Sequence, residues 1–238
     1  MLFLTLGAAP TGAQPIASAD PPSVARDSGD AIPTDSLESP ESLPASPLSR
    51  SQISVWGATS IHPGGILGKI PDGWLGLLGL RYHRLLLPAR ASAFATHTGA
   101  TLTYTADLVP VAAVSIPKGT SPGALSAAIQ SVEEAGLSTY GMGLYPIGLR
   151  IGFRPSALLH PFIAGHTGFF YLFSPMPDER GRRFNFGAGV GVGVQISLTR
   201  HTILTLGYRY HHLSNGFRGS INPGLDANLL YVGLGRTL

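Results

Sequence analysis

Between Arg183 and Leu198 the chain alternates without a break. Phe184, Phe186, Ala188, Val190, Val192, Val194, Ile196 and Leu198 hold the even positions; Arg183, Asn185, Gly187, Gly189, Gly191, Gly193, Gln195 and Ser197 hold the odd ones. Side chains on a strand point alternately to opposite faces, so the stretch has one apolar face and one polar or small face. Strands of soluble proteins run to about 5–6 residues, whereas a tilted membrane-crossing strand needs about 9–11. This stretch is long enough to cross a bilayer and protrude from it.

The pattern recurs. Ala100, Leu102, Tyr104, Ala106 and Leu108 alternate with Thr101, Thr103, Thr105 and Asp107, and Ile147, Leu149, Ile151 and Phe153 with Gly148, Arg150, Gly152 and Arg154. Blurred versions at 51–61, 73–86 and 159–173, with 203–214 and a terminal strand from 226, bring the candidate strands to eight. Charged residues are 12% of the chain, about half the usual share of a soluble domain. Mean hydropathy is +0.21, yet no apolar run reaches the ~18 residues of a helical span. The expected fold is therefore all-β: an eight-stranded antiparallel transmembrane β-barrel over residues 51–238, in a bacterial outer membrane. Glycines on the inner file suit so narrow a barrel and leave little room for a pore. Without cysteine there is neither a disulfide nor a thiolate nucleophile.

Residues 1–14 resemble the apolar region and cleavage site of a secretory signal, without its basic start, so an earlier start is expected. Residues 15–50 are rich in Pro, Ser, Asp and Ala, with six acids against Arg26 and Arg50. They read as a disordered leader that buries too little apolar surface to offset its ordering entropy. The third (116–138), fifth (174–182) and seventh (215–225) connections read as long and the sixth (199–201) as very short. That asymmetry places the odd connections outside the cell. After residue 50, fourteen Lys/Arg face seven Asp/Glu. Such a balance suits the phosphates of lipopolysaccharide, or equally an ordinary set of luminal and loop arginines.

The chemistry gathers near the C-terminus, in Tyr208-Arg209-Tyr210-His211-His212-Leu213-Ser214-Asn215-Gly216. On a strand His212 and Ser214 share a face with Leu204, Leu206, Tyr208 and Tyr210, the apolar, lipid-facing file. In the terminal strand Asp226 shares its face with Asn228, Leu230, Val232 and Leu234, again the lipid-like file. A serine, a histidine and an acid at one end of the outer wall are the parts of a nucleophilic hydrolase. Polar groups on a lipid-facing wall are costly and tend to be functional. His211 falls on the opposite, luminal file.

His212-Leu213-Ser214-Asn215-Gly216, followed by Asn222-Pro223-Gly224-Leu225-Asp226 and an apolar terminal strand, resembles the lipid A deacylase family of the PagL type. The resemblance implies an outer-membrane barrel that removes the 3-O-linked acyl chain of lipid A with a Ser/His/acid triad and no metal or other cofactor. It makes Ser214 the nucleophile, His212 the general base, and Asn215, with the backbone around Gly216, the oxyanion hole. Asp226 stands where the family pattern has glutamate, one methylene longer. The implied partners are lipopolysaccharide and outer-membrane lipids, not nucleic acid, with monomer and homodimer both open. A non-catalytic barrel of structural or adhesive role, and an esterase or phospholipase for another lipid, are the rival readings.

Overall fold

The computed structural model describes residues 51–238 apart from 64, 71, 89–98, 119–135 and 154–157. The segments 1–14 and 15–50 and most of the third connection therefore lie outside the described residues. Eight strands follow one another: β1 (Ser51–Pro63), β2 (Trp74–Leu87), β3 (Thr101–Ile116), β4 (Leu137–Gly152), β5 (Leu159–Met176), β6 (Arg182–Ser197), β7 (Thr202–Ser214) and β8 (Leu225–Thr237). Each pairs antiparallel with the next, and β1 pairs with β8 to close the barrel. Closure is what the apolar outer file demands, because lipid offers no hydrogen bond to an open sheet edge.

Parity decides what each strand shows. On β6 the outward Phe186, Val190 and Val192 are exposed, and Asn185 points inward, fully buried. Two other strands change parity midway. In β3 the inward residues are odd through Val109 and even from Ala112, where the register with β4 shifts. In β4 they are odd through Tyr145 and even from Gly148, where the register with β5 shifts. Pro110 and Pro146 sit at these two irregularities; proline has no ladder donor and belongs at a bulge. These bulges carry β3 on to Ile116, past the point where its simple alternation ends.

The interior is filled. A Cβ on Gly187 would come within 2.6 Å of the Phe170 ring, and one on Gly193 within 2.5 Å of the Phe162 ring. The glycine file thus vacates volume that aromatic side chains from β5 occupy. At the end of the barrel bearing the odd connections, Val109, Ala112, Val114, Ile116, Leu172, Leu213, Leu225 and Leu229 pack with Ile70 and Met176 into an aliphatic plug. The polar inner file expected throughout the lumen is therefore concentrated in its middle and its other end. There Arg81, Asp107, Arg150, Arg209, His83 and His160 are buried.

Antiparallel closure puts the 215–224 connection at the same end as 117–136 and 177–181. The fifth connection is shorter than the sequence suggests, because β5 and β6 run on to a pair at Met176 and Arg182. The first connection, between Pro63 and Trp74, turns out to be the one that reaches the candidate site.

Adding bulk to the two files should have opposite outcomes. Gly193→Leu drives side-chain atoms into Phe162 and is expected to cost about 1–3 kcal/mol. Val192→Leu, one position away on the lipid face, should be close to neutral. Gel mobility of the refolded barrel with and without heating measures both; equal folded fractions would contradict the assigned parity.

Candidate active site

The register places His212 directly opposite Asp226 on the neighbouring strands β7 and β8. Both side chains leave the outer face, and His212 Nδ1 lies 2.6 Å from Asp226 Oδ1. His212 is 21% exposed, whereas Asp226 is fully buried even though it faces outward. What covers it is a strap of the first connection. Asp226 Oδ2 accepts hydrogen bonds from the backbone N–H groups of Ile66 (2.9 Å) and Leu67 (2.8 Å). The carboxylate thus bonds in two directions, to the imidazole through one oxygen and to the strap through the other. A buried carboxylate so surrounded by donors is well compensated for the water it has lost.

The strap is fixed further along by backbone bonds from Lys69 N–H to Pro223 O (2.8 Å) and from Ile70 N–H to Gly224 O (3.3 Å). Two glycines allow the approach. A Cβ on Gly68 would stand 2.8 Å from the Asp226 nitrogen and 2.9 Å from its Oδ1. Gly224, in the left-handed region at φ +68°, lies against the His212 ring, with an added Cβ 2.7 Å from Cε1. Only a residue without a side chain adopts that backbone readily and leaves the imidazole its place.

Ser214 is the last residue of β7, on the face of His212 and half-buried, paired across to Phe186 of β6. The ladder with β8 ends one residue earlier, at Leu213 and Leu225, so Ser214 opens onto the 215–224 loop. Among the described residues no hydrogen bond joins Ser214 Oγ to the imidazole. In ligand-free enzymes such contacts are often loose and tighten with substrate.

Asn215 holds that loop together. Its Oδ1 accepts from the N–H groups of Arg218 (3.2 Å) and Gly219 (3.4 Å), and its Nδ2 donates to Ile221 O (2.7 Å). Its own N–H donates to Asn222 Oδ1 (3.0 Å). The Asn215 side chain is largely committed to shaping the turn. The carboxamide brought beside the Ser214–Asn215 peptide is that of Asn222. Gly216, at φ +64°, makes the turn.

The neighbouring connection braces this loop, through Ser220 N–H to Arg180 O and Arg182 Nε–H to Arg218 O, both 2.8 Å. There the Arg180 side chain hydrogen-bonds Asp178 and holds its carboxyl below the usual carboxylate range. Arg218 stacks over Phe184 and Phe186, at 5.0 and 5.9 Å from their centroids, and does not pair with Asp226. His211 points into the lumen, fully buried and hydrogen-bonded to the Tyr145 hydroxyl. Among the described residues no three His, Asp or Glu side chains converge as a metal site requires.

Beside the His–Asp pair, a groove of about 520 Å³ runs down the outer wall. Its sides are Leu67, Tyr210 and His212 on one hand and Ile147 and Leu149 on the other, over a floor of Gly165, Thr167, Ala188 and Val190. A larger trough of about 810 Å³, lined by Gly57, Thr59, Val192, Leu206, Leu230 and Val232 among others, contains no candidate site residue.

Sequence reading missed the strap. Ile66 and Leu67 are strongly exposed apolar residues in a short glycine-bearing segment, and no periodicity links them to an acid 159 or 160 positions away. The strap's dependence on Asp226 is measurable. Asp226→Ala should speed amide hydrogen exchange at Ile66 and Leu67 about tenfold or more, given ~1.5–3 kcal/mol for a hydrogen bond to a charged group. Unchanged exchange at both amides would show that the strap holds without the carboxylate.

Comparison with known proteins adds the family. Residues 124–235 match the family described as lipid A 3-O-deacylase (PagL). No curated protein sequence matches significantly. Among solved structures, the outer membrane enzyme PagL aligns over 76% of this chain and 97% of its own, with 19% identity and a TM-score of 0.51. Neisserial surface protein A aligns over 80% of this chain and 98% of its own, at 13% identity and a TM-score of 0.43. OprG from Pseudomonas aeruginosa gives 82%, 96%, 12% and 0.40 in the same order. The matched sequence lies on a closed barrel whose outer wall is apolar, so over residues 124–235 the chain is similar to the lipid A 3-O-deacylase (PagL) family, on the fold of a bacterial outer-membrane barrel.

Proposed function

We propose that this protein is an outer-membrane esterase that removes the 3-O-linked acyl chain of lipid A. The observation that carries the reading is the hydrogen-bonded His212–Asp226 pair on the outer wall, with Ser214 two residues along the same face. A barrel with a purely structural role has no use for a carboxylate buried against an imidazole at its lipid-facing rim.

In the reaction, Ser214 Oγ attacks the ester carbonyl carbon while its proton passes to His212 Nε2. Asp226, bonded to Nδ1, fixes the tautomer that leaves Nε2 free to accept and stabilises the imidazolium. The tetrahedral oxyanion is met by the Gly216 N–H and the Asn222 carboxamide, with the one Nδ2 proton that Asn215 does not spend on Ile221; one such donor is worth about 3–4 kcal/mol. Collapse breaks the carbonyl–oxygen bond, and the departing sugar hydroxyl takes the proton from His212. Water, deprotonated by the same imidazole, then attacks the acyl-serine and releases the fatty acid. The apolar groove beside His212 takes the acyl chain, so the ester reaches Ser214 without leaving the leaflet. The larger trough is lined by no carboxylate or imidazole and is assigned no step.

Purified barrel incubated with lipid A should lower its mass by one 3-hydroxy fatty acid, in chelator as well as without it. Ser214→Ala should abolish the change, and His212→Asn should slow it by about 10²–10⁴. Asp226→Ala should lose about as much, because the same substitution removes the orienting acid and releases the strap. Mass spectrometry of the lipid decides. Unchanged lipid A across several acylation patterns would remove the enzyme reading, and full activity in Ser214→Ala would keep the enzyme but discard this site.

A further inference from the structure

The middle of the lumen holds more positive charge than the described residues neutralise. Arg81, Arg150 and Arg209 are each no more than 5% exposed, and Asp107 is 2% exposed. Arg81 grips Asp107 with a two-pronged bond, Nε to Oδ1 at 2.5 Å and Nη2 to Oδ2 at 2.7 Å, so this pair is neutral. Arg150 and Arg209 meet no carboxylate among the described residues and lie over aromatic rings instead. Arg150 stands 4.1 Å from the Phe162 centroid, and Arg209 stands 5.0 Å from that of Trp56 and 5.1 Å from that of Tyr231. Arg81 shares Trp56 and Tyr231 with Arg209, at 5.1 and 5.8 Å. Arg150 is within Coulombic reach of Arg81, Arg209 and Asp107, so the charges form one cluster.

Several buried nitrogens in this region have no protein partner: the donors Arg150 Nε and Nη2, Arg209 Nη1 and Trp56 Nε1, and the ring nitrogen His83 Nδ1. A buried lysine or histidine can escape such a position by losing its proton, but a guanidinium cannot. Aromatic faces relieve part of the cost and supply no countercharge. The aliphatic plug closes the lumen at the end of the odd connections. Toward the other end it is lined by the polar Ser54, Thr101, His160 and Ser197, a surface along which a hydrated ion can enter. We infer that the lumen binds a small inorganic anion of chloride size, held by Arg150 and Arg209 with Trp56 Nε1 as a further donor. The rings of Trp56, Tyr145, Phe162 and Tyr231 crowd the site against a carboxylate or phosphate ester.

Bromide is the probe. Crystals of the full chain soaked in sodium bromide should give an anomalous peak inside the lumen, within about 3.5 Å of both guanidinium groups. In solution, replacing gluconate by chloride at fixed ionic strength should raise the unfolding midpoint. The rise should be about 3–5 °C for each tenfold increase in chloride above half-saturation. Arg150→Met keeps an unbranched side chain over Phe162 and removes the charge, so it should abolish both effects. A lumen without bromide, or bromide only at exposed arginines, together with equal midpoints in chloride and gluconate, overturns the site in favour of water alone. Should Arg150→Met fail to fold, those two wild-type measurements decide by themselves.

Discussion

Hydrocarbon accepts no hydrogen bonds, and most of this architecture answers that one constraint. Every strand must be paired on both sides, so β1 must find β8 and the sheet must close. Closing eight strands leaves a narrow interior, so the inward file of β6 is pared to glycine where Phe162 and Phe170 cross the lumen. What remains inside is a packed aliphatic plug at one end and a polar, charged middle. With no passage through the barrel, its outer wall and rim are the surfaces left for chemistry.

At that rim Asp226 links two parts of the chain that are distant in sequence. One oxygen meets His212 across the β7–β8 ladder, and the other meets the N–H groups of Ile66 and Leu67. The ladder fixes His212 and Asp226 as rigidly as anything in the sheet. The strap supplies the shielding from water that makes their hydrogen bond strong, and Leu67 adds a wall to the groove beside them. A carboxylate one methylene longer would reach these donors only if the strap rode further from the wall. The short acid and the close-lying Gly68 fit together.

The sequence made the strands legible wherever nothing interrupts their period, as in β6 and in β7, where parity alone puts His212 and Ser214 on the outer face and His211 inside. It became opaque at Pro110 and Pro146. A bulge there exchanges the two faces, so Pro110 and Val111, side by side in the chain, both face outward. Parity also gave the face of Asp226 but not its burial, which comes from residues far away along the chain. Asn215 stood in the motif with a donor's chemistry. Its commitment to Arg218, Gly219 and Ile221 is a property of the folded turn, which a residue-by-residue reading does not contain.

His212 and Ser214 open sideways from the wall, and this changes what concentration means for the protein. A reactant coming from the surrounding leaflet approaches by diffusion in two dimensions, already held at the depth and tilt that the membrane imposes. The quantity that sets its encounter rate is a mole fraction among neighbouring lipids, not a molarity in the surrounding water. Diluting that leaflet with inert lipid would slow the encounter even with the total amounts of protein and reactant unchanged. A lumen-facing site would feel no such dependence. With the proposed site as the active one, the composition of the membrane is itself a kinetic variable.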